Sequence, residues 1–131
     1  MTAARITQRQ RRGAWAERLA AIYLGALGWR VLATNVRLGP DELDIVAVEP
    51  VQPATLVVVE VRGLHSRLFG SPEERVDAGK VRRLYRAAAA LRQQATLQGI
   101  QLPAAWRVDL VVVDARESDV RIRHLRALEP P

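Results

Sequence analysis

Cysteine is absent from this 131-residue chain, which excludes disulfides, a thiolate nucleophile and every zinc site built on sulfur. Histidine is nearly absent too, and His65 and His124 have no metal-ligand spacing. No apolar run approaches the ~18 residues that a membrane-spanning helix needs, and the N-terminus lacks the apolar core of a signal peptide. These absences lead us to expect a soluble, cytoplasmic protein without a membrane partner. Lysine is the scarcest charged type: of 20 basic residues only Lys80 is not arginine. Aromatic content is 5%, and Trp15, Trp29 and Trp106 read as packing residues rather than a base-stacking platform.

What is present is positive charge. The net charge of +6 and pI near 11.1 favour a phosphate-bearing partner, although charge alone does not choose between DNA, RNA and an acidic protein. The length suits one domain that buries roughly two-thirds of its unfolded surface. Residues 1–12, with Arg5, Arg9, Arg11 and Arg12, read as a flexible basic arm, residues 13–126 as a single domain and residues 127–131 as a tail.

Apolar residues at helical spacing predict a first helix from Gly13 to the stop at Gly28. Strand patterns follow over 29–37, 42–48 and 56–62, with turns at Leu38–Asp41 and Pro50–Pro53. After a loop over 63–72, Ser71-Pro-Glu-Glu74 resembles a capping box opening a second helix that runs to about Gln98, with Asp77 an alternative start. Residues 106–114 form another strand pattern, and 120–125 a charged edge strand. This order predicts an α/β fold: a three-stranded meander, then a right-handed crossover through the second helix to a parallel strand.

A hairpin symmetric about Gln52 sets Asp44 opposite Glu60 and Glu42 opposite Arg62 on one face, with cross-strand Cβ atoms roughly 4.5–5.5 Å apart. Two ionised carboxylates at that separation repel unless a cation lies between them, which points to a divalent metal. A plain surface arrangement, with Arg62 paired to Glu42, accounts for the same residues. Glu17 borders the apolar stripe of the first helix and reaches toward the same sheet end. Lys80, Arg82, Arg83 and Arg86, with His65 and Arg67 before them, form a basic face suited to a phosphate backbone or simply to solvent. Asp109 reads as a local partner of Arg107.

The motif Gly13-x-x-x-Glu17-x-x-Ala20, with Gly28-Trp29, Asn35, Glu42-Leu-Asp44, Val59-Glu-Val-Arg62, Phe69-Gly70, Lys80 and Arg107-Val-Asp109, resembles the YraN-like family of bacterial proteins. That family belongs to the PD-(D/E)XK restriction-endonuclease-like superfamily and is similar to archaeal Holliday-junction resolvases. The resemblance implies a restriction-endonuclease-like mixed sheet flanked by two main helices, and a nuclease acting on structured, branched or single-stranded DNA. It makes Glu17, Asp44 and Glu60 the ligands of Mg or Mn. Asp44, Glu60 and Arg62 become the catalytic set, Arg62, Arg67, Lys80 and Arg83 the nucleic-acid contacts, and a symmetric homodimer the assembly. Arg62 stands where the superfamily pattern has lysine, and a guanidinium cannot act as a base. Lys80 is therefore a candidate for a migrated ammonium, and a nucleic-acid-binding module with impaired catalysis is the alternative reading.

Overall fold

The computed structural model describes residues 8–65 and 76–129. The first helix, α1 (Gln8–Ala26), buries Ala16, Ala20 and Leu24, one turn apart, with Trp15, Leu19 and Tyr23 packed beside them. It begins at Gln8 rather than at Gly13, so residues 8–12 of the expected arm continue the helix and only 1–7 lie outside the described residues. An arginine-rich turn without an apolar stripe still propagates a helix already nucleated downstream. Gly28, at φ 87°, reverses the chain: its N–H donates to the Gly25 carbonyl, and that of Trp29 to Leu24 at 3.0 Å.

Three strands follow as a meander, β1 (Arg30–Leu38), β2 (Asp41–Glu49) and β3 (Thr55–Leu64), and then α2 (Ala78–Leu97) leads to β4 (Ala105–Asp114) and β5 (Arg121–Leu125). The sheet order is β1-β2-β3-β4-β5, with β3 and β4 parallel and the other pairs antiparallel. The sheet is mixed and two helices flank it, the α/β architecture expected of a restriction-endonuclease-like domain. The β2–β3 ladder runs from Glu49↔Thr55 to Ile45↔Val59, so the hairpin is symmetric about position 52 as expected.

β3 is the central strand and is buried on both faces. Val57, Val59 and Val61 join the cluster under α1, while Leu56 and Val58 join the cluster under α2. The second helix starts at Ala78, with Asp77 as its cap; Ser71–Glu74 lies outside the described residues. Asp77 Oδ1 accepts the Lys80 N–H at 2.8 Å, which fixes the turn carrying Lys80. Asp77→Ala should cost about 1 kcal/mol, read from urea unfolding, because one N–H of the first turn loses its acceptor.

One irregularity positions the site. Strand alternation would put Leu43 and Ile45 on the same face, yet Leu43 packs in the α2-side cluster and Ile45 in the α1-side cluster. β2 therefore rotates at Asp44. On β1 the register shifts between Val31 and Ala33, and Asn35, between the pairs Thr34↔Ile45 and Val36↔Leu43, takes a left-handed φ of 52°. Asparagine is among the few residues that tolerate the left-handed region. Both strands turn over at this point, and Asp44 is aimed out of the regular ladder.

Candidate active site

Asp44 and Glu60 come together where β2 and β3 diverge. The last β2–β3 pair is Ile45↔Val59, and beyond it Asp44 Oδ2 accepts the Val61 N–H at 2.8 Å, a side chain taking a strand amide. Glu60 is 4% exposed, and its Oε2 is buried without a hydrogen-bond partner. The carboxyl groups are close enough to share a proton. Burial first, and then the Glu60 charge, push Asp44 up to about 7, against the opposing bond from Val61. An oxygen pair that repels and is incompletely satisfied calls for a proton or a cation.

Two cations answer Glu60 from opposite elements. Arg62 Nη2, from β3, lies 3.2 Å from Glu60 Oε1, and Lys80 Nζ, from α2, lies 3.5 Å from the same oxygen. The ion pair of Arg62 is thus with its own strand neighbour rather than with Glu42 across the hairpin. The divergence of the strands after Ile45↔Val59 explains the change, because a Glu42–Arg62 pair needs the ladder to continue. Arg62 Nε is buried without a partner.

A cleft of about 550 Å³ opens beside the pair, lined by Glu17, Pro40, Asp41, Glu42, Asp44, Lys80, Arg83 and Leu84. Glu17 arrives from α1. Its acid is raised by burial first and by the charges of Asp44 and Glu42, while a hydrogen bond with Asn35 opposes the shift. Asn35 is a site residue that carried only motif value in the sequence. An asparagine inside a strand pattern was the available signal for the left-handed turn. Asp41 forms the far wall, held by Arg86 through two 2.9 Å hydrogen bonds.

The structure therefore brings together Glu17, Asp44, Glu60, Arg62, Lys80 and Arg83, while Arg67 lies outside the described residues. Among the described residues, no three acidic or histidine side chains stand in a ready-made metal cage. A hard divalent cation does not need one: it commonly takes one or two carboxylates and fills its shell with water and substrate phosphate. The paired oxygens of Asp44 and Glu60, one of them unsatisfied, fit such an ion. His65 is exposed with its ring 5.0 Å from that of Trp15. No helix among the described residues is long and apolar enough to cross a membrane.

A second acid cluster occupies the α1 face and differs in every respect. Asp109, fully buried, accepts from Arg107 at 2.9 and 3.2 Å and from the Ala127 N–H at 2.9 Å, with His124 Nε2 at 2.8 Å. His124 Nδ1 meets the Tyr23 hydroxyl at 2.8 Å, and Arg107 and Arg126 both bind Glu49 and lie over Trp29. Burial alone would raise Asp109, but bonds from His124, Arg107 and Ala127 hold it below the ordinary carboxylate range. Asp109 is an ion-pair partner of Arg107, as expected.

Residues 16–113 match the model of "Uncharacterised protein family UPF0102". The chain is 36% identical over 116 residues to a UPF0102 protein of Bacteroides thetaiotaomicron, covering 88% of this chain and 89% of that protein. It is 40% identical over 105 residues to one from Moorella thermoacetica, with coverage of 80% and 82%. A third, from Thermus thermophilus, is 37% identical over 114 residues, covering 87% and 93%. The family match spans Glu17, Asn35, Asp44, Glu60, Lys80 and Arg83, and stops short of His124.

Proposed function

We propose that this chain, which belongs to the UPF0102 family, is a nuclease domain that uses Mg or Mn to hydrolyse phosphodiester bonds of structured or branched DNA. The observation that carries the reading is the Asp44–Glu60 pair, forced together in a buried position with Glu60 Oε2 unsatisfied, beside a cleft that also holds Lys80 and Arg83. Asp44 and Glu60 would hold the ion, with Glu17 at the edge of its shell. When bound, such an ion activates water and neutralises charge growing on the phosphoryl group.

The protein's own groups do the rest. Val61 and Asn35 fix Asp44 and Glu17, Arg62 and Lys80 hold Glu60 from two sides, and Arg83 adds positive charge for the phosphate backbone. In the reaction a water oxygen bonds to phosphorus as the bond from phosphorus to the leaving sugar oxygen breaks. One water proton passes to solvent, and the leaving oxygen takes one from solvent, so that one water is consumed.

Purified protein incubated with labelled four-way junction, flap and single-stranded DNA should cut at least one of them in Mn²⁺ and none in EDTA. Salt-sensitive binding without cutting in any divalent metal would instead favour the binding module of impaired catalysis, for which Arg62 in place of lysine is the specific motive.

A further inference from the structure

We infer that Lys80, not Arg62, is the cation that touches the scissile phosphate, and that Arg62 is a positioning residue for Glu60. The inference rests on the nuclease reading for the identity of the phosphate. Its basis is where the two side chains stand. Lys80 lines the cleft together with Asp44 and Arg83, and Arg62 is not among the lining residues. Both reach Glu60 Oε1, but Arg62 does so along its own strand, with its Nε buried and unpartnered although its side chain is 32% exposed. Lys80 approaches from α2, across the cleft, and its side chain stays 27% exposed.

The surroundings of Lys80 fit this role. Asp77 caps the Lys80 N–H, which holds the turn in place. Residue 79 is glycine, and a Cβ there would come within 3.4 Å of Arg83 Nη1 and 3.3 Å of the capping oxygen. A larger residue at 79 would press first on the Asp77 oxygen that caps the turn carrying Lys80. An ammonium is a compact charge with three donors on a flexible stem, so it can leave one oxygen of Glu60 and meet a phosphate oxygen nearby. A guanidinium with a buried Nε cannot make that move without losing its place.

The test compares Lys80→Met with Arg62→Met in two settings. In EDTA, binding of labelled junction DNA is measured against salt. Lys80→Met should lower the slope of log K against log salt by ~0.7–0.9, the value of one lost phosphate contact, and Lys80→Arg should restore it. Arg62→Met should keep the wild-type slope but weaken Mn²⁺ binding by roughly tenfold, with rescue by Arg62→Lys, as loss of a ligand's supporting partner does. In Mn²⁺, Lys80→Met should lower kcat by ~100-fold with KM changed less than about threefold, as for a donor aimed at transition-state charge.

Wild-type slope and kcat in Lys80→Met would overturn the inference, as would a larger loss of slope in Arg62→Met. Thermal midpoints close to wild type show that both variants fold. If the wild type binds DNA but never cuts it, the nuclease reading fails and the slope comparison alone decides Lys80. Absence of any DNA binding defeats both.

Discussion

Asp44→Asn should make the metal-free protein more stable at pH 8 and, on the nuclease reading proposed above, should lower Mn²⁺-dependent cleavage by at least ~10³-fold. The acid in the folded protein is raised to about 7, because burial and the Glu60 charge oppose its ionisation. Its folded value lies above its unfolded value, so between the two the native state holds the extra proton and stability falls as pH rises. The penalty is absent near pH 4 and complete above pH 7. Asparagine has no charge to bury and still offers an oxygen to the Val61 N–H. The gain at pH 8 should be about 2–4 kcal/mol, and it should shrink toward zero as the pH falls to 4. Urea unfolding of both proteins across that range checks it. A variant less stable at pH 8, or a gain that does not change with pH, would show that the two acids do not compete for one proton.

The opposite result is expected at Asp109. Asp109→Ala should destabilise the fold by about 2–4 kcal/mol, because it leaves Arg107 with Glu49 as its remaining acid partner and strips the Ala127 N–H and the His124 Nε2 of theirs. Denaturant midpoints measure the loss. Emission from Trp29, which lies 5.4 Å from the Arg107 guanidinium and 5.5 Å from that of Arg126, should change with it. A cost below about 1 kcal/mol would mean that the network adds nothing beyond ordinary surface pairs. Asp44 and Asp109 lie in the same sheet and are shifted in opposite directions, and what separates them is satisfaction. Every bond around Asp109 stabilises the carboxylate, whereas Asp44 faces another acid. The unsatisfied cluster is the one suited to chemistry, and the satisfied one to holding the fold together.

Much of this was legible in residue order. The run Leu56–Arg62 is apolar until its end because β3 is covered on both faces, and proline at 50 and 53 marks a turn that sets the register about position 52. The register brought Asp44 and Glu60 together. It could not show that the strands part immediately beyond Ile45↔Val59, since the turn-over at Asn35 and Asp44 depends on which helix covers which face. That parting sends Arg62 to Glu60 instead of Glu42. The bond between Tyr23 and His124 was equally hidden, because it joins the first helix to the last strand and no local pattern records such a pairing. The α1 start was misplaced because arginines carry no periodic signal, although they are good helix formers.

The parallel pairing of β3 with β4 bears on synthesis. Glu17, Asp44, Glu60 and Lys80 all leave the ribosome before Ala105, so a nascent chain holds all four side chains of the proposed site while the strand bearing Glu60 still lacks its neighbour. Until β4 arrives, that strand is a bare valine-rich ribbon with one row of backbone groups unclaimed, the kind of surface that seeds aggregation. Translation pauses within α2 would lengthen that exposure, whereas a holdase that shields β3 would shorten it.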